Sequence, residues 1–288
     1  PASAPRLGPA VAETSIRASG YQDTQDPSIT IRFKVAGEEH LSILAWTTTP
    51  WTLPGNLAVA VGAEVQYVRV RDSAGGANSD ANDAAYYWLA EERLEEMWTG
   101  DAPEVVARVP GSVLVGLEYQ PPFGYFAEER GNGAFRTIAS DEVTTEEGTG
   151  LVHMAPAYGE ADFYSLQRAG IQALVDPVDL AGRFTDQVPE VAGELVKEAD
   201  KTIIQMLKAS GALVRRDQIR HSYPFCWRTE TPLIYKAIPT WFVRVEQLRE
   251  RMAELNQGIH WVTTSVDAVI ALLPSAWNLG RTDSWPPP

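Results

Sequence analysis

The sequence predicts a mainly β protein with flanking α-helices, built on a closed or nearly closed β-barrel core. Three observations lead to this prediction: strand patterns are many and short, helical patterns are few, and the two do not alternate as they do in βα units. The first strand pattern, 28–35, alternates polar and apolar residues as a half-buried strand does. A short apolar run at 41–45 predicts a second, buried strand.

The other elements follow in order along the chain. Small polar residues at 72–84 form a low-complexity stretch, which predicts a surface loop. Residues 194–209 place apolar side chains at helical spacing and are followed by Gly211, a typical C-terminal glycine. The remaining predicted strands are 57–61, 65–71, 86–89, 104–109, 135–139 and 151–154, and the remaining predicted helices are 90–98, 160–168 and 245–256.

Composition limits the class of protein. A chain of 288 residues can bury one large core or two modest ones. Its 24 basic and 38 acidic side chains give a net charge of −14, which argues against a broad nucleic-acid surface but permits a site for the end of a strand. The single cysteine, Cys226, allows no internal disulfide, and no apolar run is long enough to span a membrane, so a cytoplasmic location is expected. The opening residues 1–6 lack an initiator Met and a signal-peptide pattern, which predicts an excised fragment.

The most distinctive segment is 46–56, with the sequence WTTTPWTLPGN. Its β-branched and proline residues oppose a helix, so an irregular turn is expected after the strand at 41–45. Its hydroxyl groups and aromatic faces suit a rigid pocket wall. A threonine-rich strand end with prolines is also ordinary in β proteins, and this segment alone leaves both interpretations open.

A second segment, 148–162, has the sequence GTGLVHMAPAYGEAD. Glycines on both sides of Thr149 permit backbone geometry or a close approach that other residues resist. His153 on a short strand and Asp162 in the first turn of the next helix would bring an imidazole and a carboxylate to one end of a pocket. Each also has an ordinary explanation, as a hydrogen-bonded core histidine and as an acid favoured by the helix dipole. No nucleophile motif surrounds a serine or Cys226, so covalent catalysis is not favoured, and no glycine-rich nucleotide-binding pattern is present.

Together the two segments resemble the paired signatures of the editing domain, connective peptide 1, that is inserted into the isoleucyl-tRNA synthetases. The related valyl and leucyl enzymes carry a Thr-Thr-Arg-Pro pattern where this chain has Thr48, Thr49, Pro50 and Trp51. The resemblance covers about residues 20–262 and implies the β-barrel type of the class I synthetase editing domain. Further similar segments are 114–119, 175–179, 182–185, 196–200, 221–228, 235–245 and, resembling the re-entry segment, 277–281.

The resemblance implies three parts: a lead-in segment at 1–25, an editing domain at 26–220 and a return segment toward the catalytic body at 221–288. Thr229 stands where many family members have the second cysteine of a zinc half-site, so no metal and no cofactor are expected. This departure, with Phe225 before the cysteine, is closer to the eukaryotic-type branch. The adenylate-forming signatures of class I synthetases are absent, so no aminoacylation is expected from this chain.

The function implied is deacylation of mischarged Val-tRNA(Ile), an ester hydrolysis by water in a size-selective pocket. Editing is needed because a pocket rejects a substrate lacking one methylene only weakly. The implied partners are the 3′ terminal adenosine of tRNA(Ile), its valine moiety and the rest of the synthetase, with no membrane. The alternative is an inactive connective module that positions the tRNA acceptor end; a generic esterase is less favoured.

The resemblance also assigns roles to individual residues. Asp162 would hold the α-ammonium group of the substrate, and His153 would line the side-chain pocket and exclude isoleucine. No general base is assigned, and His153 is the only titratable candidate near neutral pH. The expected catalytic residues are Thr48, Thr49, His153 and Asp162, and the expected substrate-binding residues are Trp46, Thr47, Thr52, Asn56 and Asp162.

Overall fold

A computed structural model describes residues 20–72, 85–98, 103–226, 228–238 and 245–258 of the chain. Most of the expected lead-in, most of the loop predicted at 72–84 and the expected re-entry segment at 277–281 lie outside these residues. The chain divides into two compact units, 1–236 and 237–288. The expected three-part division at residues 25 and 220 stays a prediction.

The described residues of the first unit form nine strands, four α-helices and four 3₁₀ helices. All eight predicted strands are confirmed within a residue or two, except that the first begins seven residues earlier than the pattern at 28–35. The strands are β1 Tyr21–Lys34, β2 Leu41–Thr47, β3 Ala58–Val61, β4 Gln66–Asp72, β5 Ala85–Ala90, β6 Glu104–Pro110, β7 Arg136–Ala139, β8 Leu151–Met154 and β9 Leu213–Pro224.

The helices confirm the four helical predictions. The pattern at 90–98 divides into a 3₁₀ helix and a short α-helix, and so does the pattern at 245–256, which lies in the second unit. No helix among the described residues is long and apolar enough to cross a membrane. The α-helices are α1 Leu94–Met97, α2 Gly111–Leu114, α3 Glu160–Arg168, α4 Val196–Ala209 and α5 Arg249–Gln257, and the 3₁₀ helices are Pro50–Gly55, Glu91–Arg93, Ala127–Asn132, Pro189–Val191 and Val245–Leu248.

The strands form one curled, open sheet in the order β6-β4-β5-β2-β8-β3-β7, with β1 paired to β2 and β9. The prediction of a mainly β protein with flanking helices is confirmed, but the closed or nearly closed barrel is not. The barrel is open, because the two ends of this path, β6 and β7, do not pair with each other. Periodicity shows which face of a strand is buried, but it carries no information about which edges meet. The result is a half-barrel, open along one side.

Strand β2 brings the two informative segments together. One of its edges pairs with β1 in antiparallel fashion from Ser42 to Thr47. Its other edge is divided: the first half pairs with β5, and Trp46 near the end pairs with Val152 of β8. The end of β2 therefore lies beside the strand that carries His153.

Helix α4 supports this part of the sheet. Its predicted apolar stripe is confirmed, since Ala199, Ile203 and Leu207 are fully buried. Gly211, just after the helix, has the positive φ of +73° that the predicted glycine termination requires. The same buried face of α4 carries Asp200, which contacts the 3₁₀ helix Pro50–Gly55.

Candidate active site

A cavity of about 450 Å³ lies where the ends of β2 and β8 meet the start of α3. Seven of the eight residues expected at the site line it, and Asn56 does not. Those seven residues are Trp46, Thr47, Thr48, Thr49, Thr52, His153 and Asp162. Residues separated by about a hundred positions thus share one cavity.

The threonine-rich turn is more regular than its composition predicted. Pro50–Gly55 forms a 3₁₀ helix, with Pro50 at the first position, where no N–H group is needed. Thr52 closes the turn, because its backbone N–H and its hydroxyl both donate to the Thr49 carbonyl, at 3.0 and 2.8 Å. The Thr49 hydroxyl lies 3.3 Å from the hydroxyls of Thr47 and Thr52. Thr48 is outside this hydrogen-bonded set and lines the cavity.

The glycines around Thr149 show both the backbone geometry and the close approach that were expected of them. Gly148 and Gly150 adopt φ of +70° and +72°, a region that favours glycine. A side chain on Gly150 would lie 2.3 Å from Ala90 Cβ, and one on Gly148 would lie 3.0 Å from Trp46. Larger residues at either position would push apart the wall of the cavity.

His153 is hydrogen-bonded at both ring nitrogens and is 7% exposed. Its Nε2 lies 2.8 Å from Thr52 Oγ1, and its Nδ1 lies 3.5 Å from Asn56 Nδ2. The amide nitrogen of Asn56 can only donate, so Nδ1 accepts and the proton is assigned to Nε2, which donates to Thr52. Burial lowers the pKa of His153 to about 4. The ring is therefore neutral at physiological pH and does not titrate there, contrary to what the residue type suggested.

Asp162 lies in the first turn of α3, as predicted. Its Oδ2 accepts a hydrogen bond of 2.8 Å from the Ala155 N–H. Burial raises the pKa of Asp162 to about 6, against the opposing effect of hydrogen bonds from backbone N–H groups. The carboxylate is thus mainly ionised at neutral pH and supplies a negative charge to the wall of the cavity.

Three further residues around the cavity were not found by sequence reasoning. Arg93, 9% exposed, donates to the carbonyls of Gly148 and Glu146 at 3.0 Å each and pairs with Glu96, so it holds the loop that forms one wall. Tyr158 also lines the cavity and packs edge-on against Trp51 at 4.9 Å. No sequence pattern distinguishes Arg93, because it lies in a charged stretch typical of an exposed helix.

The third is Asp200, which is 4% exposed. Its Oδ1 accepts a hydrogen bond of 2.8 Å from the backbone N–H of Trp51 and so connects helix α4 to the 3₁₀ helix Pro50–Gly55. Burial raises the pKa of Asp200 to about 7, and the nearby Lys197 opposes this shift.

We expect Asp200→Asn to stabilise the protein at pH 8 by on the order of 2 kcal/mol and to have no such effect near pH 4. The folded-state pKa of Asp200 is raised above its unfolded value. The contribution of this group to stability is therefore present below about pH 4, and it is lost as pH rises through about 7. Asparagine stays uncharged and keeps an acceptor for the Trp51 N–H. Thermal or urea unfolding of both proteins across this pH range measures the difference.

Asp23→Asn is the matched control, because the Asp23 side chain is 65% exposed. It should show no comparable dependence of the difference in unfolding free energy on pH. An equal gain from Asp200→Asn at pH 4 and pH 8 would show that ionisation of Asp200 is not the cause.

The described residues contain no group of three or more His, Cys, Asp or Glu side chains that could hold a metal ion. Cys226 is buried as a free thiol, and a hydrogen bond with Thr229 is the main cause of a lowered thiol pKa.

The fold has counterparts among solved structures. A chain described as GlLeuRS-CP1 superposes with a TM-score of 0.50 at 13% identity, covering 66% of this chain and 98% of that one. The cytosolic leucyl-tRNA synthetase editing domain of P. falciparum gives a TM-score of 0.51 at 9% identity, covering 65% and 98%. At these identities the similarity concerns the fold alone. The chain therefore has the fold of a synthetase editing domain.

Sequence comparison identifies the particular family. No protein-family model matches the chain. The isoleucine–tRNA ligase of Bdellovibrio bacteriovorus is 49% identical over 84% of this chain, and the cytoplasmic isoleucine–tRNA ligase of Saccharomyces cerevisiae is 41% identical over 93%. The chain belongs to the isoleucine–tRNA ligase family, as a segment that spans 22% and 25% of the length of these two curated relatives. Since bacterial and eukaryotic relatives both match well, the identities do not select the eukaryotic-type branch.

Proposed function

We propose that this cavity is a post-transfer editing site that hydrolyses the ester of mischarged Val-tRNA(Ile). One observation carries the proposal: a buried neutral imidazole, an ionised carboxylate and a cluster of threonine hydroxyls line a single cavity of about 450 Å³. The identity with isoleucine–tRNA ligases over most of the chain supports the choice of amino acid and tRNA.

The cationic end of the substrate is proposed to bind Asp162. An aminoacyl ester carries an α-ammonium group, and a carboxylate in a partly desolvated cavity binds such a group through a charge-assisted hydrogen bond. Asp162 uses Oδ2 to accept from Ala155, which holds the carboxylate in one orientation. The carboxylate group is thereby oriented before the substrate binds.

The side chain of the substrate is proposed to lie against His153. Because both ring nitrogens are hydrogen-bonded, the imidazole has a defined position and forms a rigid boundary to the cavity. A rigid boundary excludes the extra methylene of isoleucine more effectively than a mobile side chain would. In this role His153 acts by its shape and orientation, and its low pKa keeps it uncharged beside an apolar side chain.

Hydrolysis is proposed to use water held by the threonine hydroxyls. Thr48 and Thr49 line the cavity. Their hydroxyls are proposed to bind the ester, the terminal ribose or the attacking water. Water adds to the ester carbonyl, and collapse of the tetrahedral oxyanion breaks the bond between the carbonyl carbon and the ribose oxygen. A proton from the attacking water passes to that oxygen, so that free valine and the adenosine hydroxyl are the products. Fixed dipoles stabilise the oxyanion because they need no reorganisation as charge develops.

The proposed partner is only the end of the tRNA strand. The exposed residues Glu146 and Glu147 line part of the cavity, and the chain as a whole has a net charge of −14. Extended contact with phosphates is unfavourable on such a surface, whereas entry of one terminal nucleotide with its cationic amino acid is not.

The direct test is release of valine from Val-tRNA(Ile) by this chain, with Ile-tRNA(Ile) measured in parallel. We expect valine to be released faster than the spontaneous rate and isoleucine to remain attached. Circular dichroism establishes that the protein is folded. A folded protein that accelerates neither reaction would contradict the proposal for the isolated chain and would favour a connective module that positions the acceptor end.

A further inference from the structure

Tyr119 is a fully buried tyrosine outside the cavity. It ends the segment 114–119, which resembles the synthetase family but has no place in the proposed function so far. Its ring packs edge-on against Phe33 at 5.0 Å and Phe135 at 6.3 Å, so its position is defined by the core. Its hydroxyl donates a hydrogen bond of 2.7 Å to Asn56 Oδ1.

This hydrogen bond determines how the Asn56 amide is oriented. With Oδ1 accepting from Tyr119, the amide nitrogen points the other way and donates to the Ala58 carbonyl at 2.9 Å. The same nitrogen lies 3.5 Å from Nδ1 of His153. A reversed amide would remove the acceptor of the Tyr119 hydroxyl and place an amide oxygen against the Ala58 carbonyl, which is unfavourable for buried polar groups.

We infer that Tyr119 is a positioning residue for the editing site, acting through Asn56 to hold His153 as the Nε2–H tautomer with its ring directed at Thr52. The inference rests on the proposed function for its catalytic consequence, but the state of the His153 ring can be observed without any substrate. Burial keeps the pKa of the Tyr119 hydroxyl well above its usual range, so the hydroxyl remains a donor at working pH.

The sequence of contacts continues to the threonine turn. Because Nδ1 faces a donor, Nε2 carries the proton and donates to Thr52 Oγ1 at 2.8 Å. The Thr52 hydroxyl is then free to donate to the Thr49 carbonyl at 2.8 Å. A change at Tyr119 therefore reaches the turn that lines the cavity, although Tyr119 itself does not line it.

The decisive measurement is nitrogen NMR of histidine-labelled protein, with the His153 signals assigned by their loss in His153→Gln. In the unsubstituted protein we expect a protonated Nε2 and an unprotonated Nδ1. In Tyr119→Phe the amide loses one of the two bonds that orient it, so both nitrogen shifts should move toward values averaged over the two tautomers. A His153 protonated at Nδ1 in the unsubstituted protein, or shifts unchanged in Tyr119→Phe, would overturn the inference.

Tyr87→Phe is the matched control. Tyr87 is also buried, at 3% exposure, and its hydroxyl accepts from Arg32 at 3.4 Å. It has no hydrogen bond to Tyr119, Asn56 or His153, the three residues of the proposed relay. Its loss should leave the His153 shifts unchanged. If Tyr119→Phe fails to fold, Asn56→Asp serves instead: it places a carboxylate oxygen opposite Nδ1, so the proton should move to Nδ1. A proton retained only on Nε2 in Asn56→Asp would count against the relay.

The kinetic test separates positioning from general stability. We expect Tyr119→Phe to lower kcat for Val-tRNA(Ile) about fivefold, with little change in KM, as the loss of one buried hydrogen bond would. In an Asn56→Ala background the same substitution should cause no further loss, since the relay is already broken. A further fivefold loss of kcat in the Asn56→Ala background would contradict the relay. Failure of the unsubstituted chain to cleave either ester would count against the proposed function, and the NMR result would still decide the relay.

Discussion

Asp162→Asn is expected to reduce cleavage of Val-tRNA(Ile) by about 100-fold or more while leaving the fold intact. Asparagine retains an oxygen that accepts from the Ala155 N–H, so the start of α3 keeps its hydrogen bond. What it lacks is the negative charge that would bind the α-ammonium group. The measurement is kcat/KM for valine release, accompanied by thermal unfolding to establish that stability is retained.

Glu160→Gln provides the control in the same first turn of α3. This substitution removes an equal charge from that turn, and Glu160 does not line the cavity. Its kcat/KM should stay near that of the unsubstituted protein. Unchanged turnover in Asp162→Asn would remove Asp162 from the site, and equal losses in both variants would point to a general effect of charge.

The pH profile gives a second measure of the same carboxylate. The burial of Asp162 raises its pKa to about 6, and the binding of an ammonium group needs the ionised form. The kcat/KM of the unsubstituted protein should therefore rise with pH through about 6. This rise should be absent from the residual activity of Asp162→Asn.

His153→Ala is expected to make the site accept the correctly charged ester. The imidazole is buried and held at both nitrogens, so its removal enlarges the cavity on the side proposed to meet the substrate side chain. Discrimination based on one methylene corresponds to about 10- to 200-fold, so cleavage of Ile-tRNA(Ile) should rise by about 10- to 100-fold. Single-turnover release of isoleucine and valine measures the change.

Two variants distinguish size from other effects of losing a histidine. His221→Ala removes a histidine that is hydrogen-bonded to Asp26 and does not line the cavity, so it should continue to spare Ile-tRNA(Ile). Thr52→Val keeps the volume near His153 but removes the hydrogen bond to Nε2, and so reports on ring orientation. If His153→Ala still spares the isoleucine ester, His153 is not the size gate.

The strands that were predicted correctly are those with local patterns. β2 and β3 are short and fully or largely buried, and their apolar runs are visible without knowledge of their neighbours. β9 was missed, because Leu213–Pro224 carries mostly exposed, charged residues and shows no apolar alternation. It is a strand because it pairs with β1 from Tyr21 to Ile31, and the same pairing explains why β1 begins earlier than its pattern. Pairing of this kind across almost two hundred residues has no local signal.

The amino-acid sequence by itself determined the family, the two segments that form the cavity and seven of the residues that line it. It did so because 46–56 and 148–162 are distinctive in composition and spacing. Only the tertiary structure decided that the sheet is open, that burial lowers the pKa of His153 to about 4 and raises that of Asp162 to about 6, and that Arg93, Asp200 and Tyr119 hydrogen-bond to Gly148, Trp51 and Asn56. These properties depend on burial and on distances between residues far apart in the chain. A pKa or a hydrogen-bond partner is therefore defined only when the fold has brought the groups together.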